Sequence, residues 1–304
     1  MAKVGLSIPG TAPDRTSRTT IEFAQRAEAA GAHSIWATDR IVDSTPDVFV
    51  TLGAVAASTS RIAIGTSVVL GVLRPPVLLA KAAASVDVLS NGRLIFGLGV
   101  GSRAEDFQAT EVPMEQRGRR MDEAIAICKL AWSGQPVKFD GRHHHLDIGP
   151  LRELPVQQPH PPLWFGGGAD AVLRRTARVG QGFIASTSSG PDGFRSQWAK
   201  LREYCAELGR DPAEVTPAAL CYASVAPNRT DAEEGMRQHL LRSFGPARLE
   251  RGLGPLVGTP DDLVRGAHEY FAAGAEVLII SGVSADPHHL DLLCERVLPA
   301  IGGD

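Results

Sequence analysis

The sequence predicts an α/β fold, a (β/α)8 TIM barrel with insertion segments, on three observations. Short β-rich runs alternate with amphipathic helical stretches from end to end. The alternation repeats about eight times with no internal linker, and strictly alternating units imply a parallel sheet. The length of 304 residues also covers the ~250 that such a barrel needs. Eight pairs favour closure over an open doubly wound sheet, the main rival. The chain therefore reads as one domain, 1–304, with a hairpin inserted around 134–151.

Each element has its own signal. Residues 4–8 (VGLSI) form an apolar first strand, and 19–30 carry a helical period ended by Gly31 as a C-cap. Residues 34–37 (SIWA) are the second strand and 47–59 the second helix. The run 62–70 is β-branched and nearly uncharged, as expected of a strand covered on both faces. A helix over 76–89, a turn at Asn91-Gly92 and a strand over 94–98 follow. After the long helix 117–132, VKFDGRHHHLDI gives two short strands around Asp140-Gly141. Strands at 163–165, 182–185 and 218–225 alternate with helices at 169–179 and 198–208. Thr259-Pro-Asp-Asp opens a helix to 273 with an N-cap, a first-turn proline and acids for the macrodipole. The last strand is 277–280, and a closing helix follows Pro287. Residues 231–258 show no clear pattern and read as a mobile or inserted region.

Composition removes several classes of function. Net charge is −3 with no block of like charges, which argues against a nucleic-acid or membrane surface. The longest stretch without a formal charge, 154–169, is 16 residues and holds four prolines, so it is no membrane helix. The N-terminus lacks the apolar core of a signal peptide before Pro9 and Gly10. Cys128, Cys205, Cys221 and Cys294 form no C-x-x-C pair and read as reduced, mostly buried thiols. A cytoplasmic protein is expected.

A barrel of this kind places its site at the C-terminal ends of the strands. Those ends are rich in glycine and hydroxyl residues and show no nucleophile–base pair or metal cluster. Such a rim suits close backbone approach to a planar or phosphorylated ligand, with a cofactor doing the hard chemistry on a small-molecule substrate. Gly166-Gly167-Gly168 runs into a helix near Ala169, where backbone amides bind phosphate; a tight turn is the even-odds alternative. Gly99-Val-Gly101-Ser-Arg-Ala104 matches the dinucleotide fingerprint loosely, but no acid-ended strand follows ~20 residues later, so a glycine-rich strand end is the better reading. Asp39 and Arg40 end the second strand, poised to hold substrate or cofactor or to form a rim ion pair. His143, His144 and His145 lie in the hairpin and alternate faces, so no metal site is expected.

Several ordered motifs carry a resemblance. They are LRPPVLLAK at 73–81, DVLSNGRLIFGLGVGS at 87–102, RGRRMDE at 117–123 leading into LAWSGQPVKFDG at 130–141, PVQQPHPPLWFGGG at 155–168 and GQGF at 180–183. Together they resemble the bacterial luciferase-like oxidoreductases, across nearly the whole chain. The resemblance implies a barrel, often a homodimer, that binds coenzyme F420 or FMN; the most similar subgroup is F420-dependent. It implies that Gly166, Gly167, Gly168 and Ala169 hold the cofactor phosphate. Ser67 and Val68 would form a bulge behind the ring, with a non-prolyl cis peptide between them, and Val100, Gly101 and Ser102 would flank the ring. The sequence departs from the family pattern at two places. Many alcohol- and sugar-phosphate-oxidising relatives have His after the second-strand Asp, where this chain has Arg40. Sugar-phosphate dehydrogenases have Glu after the fourth-strand glycines, where it has Ser102. F420-dependent hydride transfer to or from a small organic substrate is therefore expected, with reduction of an activated double bond or carbonyl, or oxygenation with FMN, favoured over alcohol or sugar-phosphate oxidation; Asp39, Arg40 and Arg74 are the catalytic-site residues, the two arginines binding an anionic or carbonyl group. The alternatives are an FMN monooxygenase, fed by a separate reductase, and a flavin-binding protein without turnover.

Overall fold

The computed structural model describes residues 2–12 and 16–302. Its strands are β1 (Lys3–Ser7), β2 (Ser34–Ala37), β3 (Ala63–Thr66), β4 (Val69–Leu70), β5 (Leu94–Gly99), β6 (Val137–Asp140), β7 (His145–Ile148), β8 (Leu163–Gly166), β9 (Gly182–Ala185), β10 (Thr216–Val225), β11 (Leu256–Gly258) and β12 (Val277–Gly282). Its helices are α1 (Ser17–Ala29), α2 (Val48–Ser58), α3 (Pro76–Leu89), α4 (Ala104–Ala109), α5 (Arg117–Trp132), α6 (Asp170–Val179), α7 (Gly190–Glu207), α8 (Arg229–Phe244) and α9 (Pro260–Ala272). A closing segment runs through α10 (Pro287–Asp291), a π-helical turn (Leu292–Val297) and α11 (Leu298–Gly302).

Strands β1, β2, β3, β5, β8, β9, β10 and β12 pair in parallel, and β12 returns to β1 to close the barrel. The register sets Leu6 beside Ile280 and Ala218 beside Ile184. The pair β6–β7 is antiparallel and stands apart as a hairpin. Glu123 of α5 holds it, its carboxylate accepting from the backbone N–H groups of Arg142, His143 and His144.

Alternation along each strand divides the core in two. The larger cluster lies between strands and helices, with Leu278 and Ile280 of β12 among its members. The smaller fills the lumen with Trp36, Trp164, Ile184, Ala218, Val277 and Ile279. Trp36 and Trp164 meet at 5.4 Å between ring centroids and plug the barrel. Room for them comes from bare backbone: a Cβ on Gly65 would lie 2.4 Å from the Trp36 ring, and one on Gly182 2.3 Å from Trp164. Two indoles and three-sided packing of this kind leave no channel through the barrel.

Three expectations need correction. The expected strand over 62–70 is two strands, β3 and β4, separated by the Ser67–Val68 cis peptide. The helix expected from 198 starts at Gly190; Ser-Ser-Gly-Pro reads as a loop, yet Pro191 and Asp192 are first-turn residues. The unpatterned segment 231–258 contains a four-turn helix, α8, and the short strand β11, which pairs with the C-terminal end of β10. Helix α8 buries Ala232, Met236, His239 and Leu240, a regular stripe diluted by charged neighbours.

Candidate functional site

The lumen-facing series continues past the tryptophan plug to the C-terminal rim. There it presents Thr38, Gly99, Gly166, Ser186, Tyr222 and Ser281, one from each of six strand ends. Val68 stands among them. Its side chain is wedged between two bare strand ends, for a Cβ on Gly99 would lie 2.3 Å from Val68 Cγ2 and one on Gly166 2.5 Å from Val68 Cγ1. Any side chain at either glycine would displace the wedge. The Ser67–Val68 peptide is cis and turns Val68 into this position. The Ser7 and Ser67 hydroxyls are buried without a hydrogen-bond partner in the protein, which leaves both free to bond a polar group.

Beyond Gly166 the chain enters α6, whose N-cap, Ala169, supplies no side-chain hydrogen bond to the free amides. Gly167 donates to the Ile184 carbonyl at 3.0 Å, tying the glycine turn to β9. Above Gly168 lies Gln197 of α7, with Nε2 only 2.2 Å from where a Cβ would stand. Gln197 and Ser189 hydrogen-bond at 3.2 Å, and Ser186 and Ser188 at 3.0 Å. The result is a cradle of amides, hydroxyls and one carboxamide at a helix N-terminus, the donor set that a phosphate needs. Asp170, at the first helical position, is neutralised from outside: hydrogen bonds from Lys200 and Tyr204, with Arg174, hold its carboxyl far below the usual range.

The charged residues at the end of β2 pair otherwise than expected. Asp39 is buried and binds Arg74, not Arg40, with both carboxylate oxygens, and its Oδ2 also accepts from Leu70 N–H at 2.9 Å. Arg74 also reaches Asp47 at 3.0 Å, and Asp47 caps α2 through the amides of Phe49 and Val50. Burial opposes ionisation of Asp47, but the Val50 amide and Arg74 outweigh it and its pKa is lowered. The Arg74 guanidinium is thus committed to two carboxylates of its own chain, which leaves Arg40 to face the mouth.

Arg40 is half-buried and has no carboxylate partner among the described residues. Its loop is held by Asp106 of α4, a buried carboxylate accepting from Ile41 and Val42 N–H at 3.1 and 3.0 Å. Arg103 clips the same loop through Asp43 at 3.1 Å. Val100, Gly101 and Ser102 form the turn between β5 and α4; Val100 packs on the core and Ser102 is exposed. Arg40, Ser102 and Arg103 face the C-terminal end of α8, from Leu241 to Gly245, across a cleft of about 510 Å³. A smaller cavity of about 30 Å³ continues inward from Arg40, Ser243 and Phe244 to Tyr222, His239, Ser281 and Gly282.

Sequence reasoning missed Tyr222, His239, Asp106 and Gln197. For Asp106 a signal existed, since Ala104-Glu-Asp opens a short helix with acids in its first turn. Tyr222 had one, since it lies near the C-terminal end of the strand expected at 218–225, whereas His239 had none, because α8 read as irregular.

A closed barrel with its rim bared to backbone, a wedge beneath a ledge of glycines and an open helix N-terminus beside it define a (β/α)8 protein whose C-terminal rim has the donors to hold an extended phosphate-bearing ligand. The chain belongs to the luciferase-like monooxygenase family, whose model matches residues 3–275. It is 33% identical over 204 residues to the F420-dependent glucose-6-phosphate dehydrogenase of Kineococcus radiotolerans, covering 64% of this chain and 60% of that one. It is 30% identical over 227 residues to the F420-dependent hydroxymycolic acid dehydrogenase of Mycobacterium tuberculosis, covering 72% and 62%. The chain thus spans about three fifths of the length of these relatives. Two solved structures share the fold: an F420-dependent secondary alcohol dehydrogenase holding an F420–acetone adduct (TM-score 0.84, 21% identity, 99% of both chains), and the monooxygenase RslO1 from Streptomyces bottropensis (TM-score 0.84, 22% identity, 98% of this chain and 99% of that one).

Proposed function

We propose that this chain is an F420-dependent oxidoreductase that transfers hydride to or from a small organic substrate, with reduction of a carbonyl or activated double bond as the favoured direction. The observation that carries the reading is the Val68 wedge between Gly99 and Gly166, beside the uncapped N-terminus of α6. A flat ring needs a flat floor, and the glycines provide it where any side chain would intrude. Gly166, Gly167, Gly168 and Ala169 would hold the phosphate, with Ser186, Ser189 and Gln197 as further donors. Ser67 and Val68 would back the ring, and Val100, Gly101 and Ser102 would flank it. When bound, the deazaflavin supplies hydride chemistry, and the residues of the chain orient the substrate and exclude water.

Relatives named for F420-dependent dehydrogenases support this cofactor. Arg40 and Ser102 stand where the sugar-phosphate pattern has His and Glu, which speaks against sugar-phosphate oxidation. The family resemblance supports a homodimer, and the reading sits with a cytoplasmic protein; no described helix is long and apolar enough to cross a membrane. An FMN monooxygenase with a separate reductase is the second reading, supported by the match to the luciferase-like monooxygenase family model.

Titration of the purified protein with F420 and with FMN, followed by cofactor fluorescence and calorimetry, tests the proposal. F420 binding at least tenfold tighter than FMN is expected. Preference for FMN, with oxygen uptake on adding reduced FMN, moves the protein to the second reading; binding of neither ends both.

A further inference from the structure

We propose that Tyr222 is a catalytic residue of this site: its phenol, oriented by Arg40 and backed by His239, donates the proton to the oxygen of a bound carbonyl substrate. The inference rests on the hydride-transfer reading above and adds the proton donor that the loss of the pattern's His and Glu leaves missing.

Three observations place Tyr222 in this role. It follows Ala218 and Leu220 in the lumen-facing series of β10, and it is the only ionisable side chain of the six rim residues Thr38, Gly99, Gly166, Ser186, Tyr222 and Ser281. The Arg40 guanidinium lines the same small cavity as the phenol and acts on its ionisation, lowering a pKa that burial raises. A guanidinium can only donate, so toward Arg40 the phenol can act only as an acceptor and keeps its own proton for another group. No protein acceptor for that proton occurs among the described residues, and the small cavity joining the rim to the 510 Å³ cleft lies against it.

The third observation is His239. Its ring meets the Tyr222 ring edge-on at 4.8 Å, and its Nε2 is buried with no partner. A buried nitrogen left open in a cavity wall is the mark of a polar ligand. Burial, with Arg242 nearby, pushes the His239 pKa down to about 4, so the imidazole is neutral at pH 7 and does not compete as the proton donor. Phe244 closes the other side of the phenol at 5.9 Å. The charged groups that face Tyr222 are Arg40 and Asp43 from the loop after β2 and Arg248 beyond α8, and the titratable but neutral His239 joins them from α8. Burial disfavours the phenolate and raises the Tyr222 pKa overall, and the cations Arg40 and Arg248 offset part of that rise.

With a reduced deazaflavin bound, a hydride with its electron pair would reach the carbonyl carbon, and the π pair of the carbonyl would move to oxygen. That oxygen takes the Tyr222 proton as the phenolic O–H bond breaks. The products are an alcohol and oxidised cofactor, and the phenolate regains a proton from water through the cleft.

The test compares wild type, Tyr222→Phe, Arg40→Met and His239→Asn. F420 affinity is measured first; wild-type protein that fails to bind F420 overturns the parent reading and this one with it. With F420 bound, a panel of ketones, aldehydes and quinones is screened for oxidation of the reduced cofactor. Tyr222→Phe is expected to lower kcat by 10²–10³-fold, within the range of general acid catalysis, with KM and F420 affinity changed less than threefold. A readout independent of turnover accompanies it: the alkaline absorbance titration at 295 nm loses one tyrosinate in Tyr222→Phe, and that tyrosinate ionises at higher pH in Arg40→Met. A kcat for Tyr222→Phe within threefold of wild type, no turnover of any carbonyl in the panel, or a tyrosinate indifferent to Arg40 overturns the proposal while F420 binding leaves the parent reading standing.

Discussion

At the scale of residues, close approach decides most of what this molecule can bind. Gly99 and Gly166 are defined by the Val68 side chain between them, and that wedge fills the space of two missing side chains. Gly166→Val should therefore keep the fold at a cost of about 1–3 kcal/mol from overpacking and lose F420 binding by at least tenfold, measured by fluorescence titration. An unchanged affinity would remove Val68 from the floor of the site. Asp39 makes the opposite kind of contact. Its side chain is fully buried, and it holds Arg74 and the Leu70 amide. Asp39→Ala removes the buried partner of the half-buried Arg74 guanidinium and of the Leu70 amide at once, so a loss of about 3 kcal/mol is expected in urea unfolding. A loss under about 1 kcal/mol would mean that Asp47 alone satisfies Arg74. The four cysteines are free and buried, and burial pushes the Cys128 thiol up to about 12. Ellman's reagent should titrate no rapidly reacting thiol before unfolding and all of them after it.

At the scale of elements, buried or half-buried carboxylates tie one segment to the next through backbone amides. Glu28 of α1 takes the N–H groups of Ser60, Arg61 and Ile62 ahead of β3 at 2.7–2.9 Å. Glu123 of α5 holds the hairpin turn, and Asp106 of α4 holds the loop that carries Arg40. Burial disfavours the charge on Glu28 and Glu123, yet the amides they accept from outweigh it, and both carboxyls titrate below 4.5. A depressed folded-state pKa stabilises the fold above the unfolded-state value and ceases to do so as pH falls through the lower, folded value. Stability should accordingly be flat near neutrality and decline below about pH 4.5. Replacing Glu28 and Glu123 by Gln should lower the neutral plateau and flatten that decline. An acid limb of unchanged slope in the double variant would assign it to other carboxylates.

At the scale of the whole molecule, ring closure makes the lumen plug a shared property of the barrel strands. Trp36 and Trp164 come from β2 and β8, yet the space they fill is conceded by β1, β3 and β9. Gly182→Ala puts a methyl group 2.3 Å from the Trp164 ring, a strain of about 1–3 kcal/mol. Because the lumen is common to all strands, unfolding should shift as one transition by circular dichroism and tryptophan fluorescence alike; separate transitions would show that the two halves of the barrel fold independently.

The sequence by itself determined the barrel, since eight alternating periods with turn residues between them are local features that survive without knowledge of contacts. It also located the glycine turn at 166–168, for the same reason that a glycine run before a helix has few other uses. Tertiary structure alone decided who pairs with whom. Asp39 and Arg40 are neighbours in sequence but point to opposite faces of the strand end, so Asp39 finds Arg74 and Arg40 finds Tyr222. The site's second wall, α8, lay hidden because its apolar stripe of Ala232, Met236 and Leu240 is thin and interrupted by charge. That stripe acquires meaning only against Val257 and Val283, residues the chain reaches later and brings back across the barrel mouth. Periodicity records which face of an element is buried, whereas partnership depends on how separate elements close in space, and a linear pattern carries no term for that.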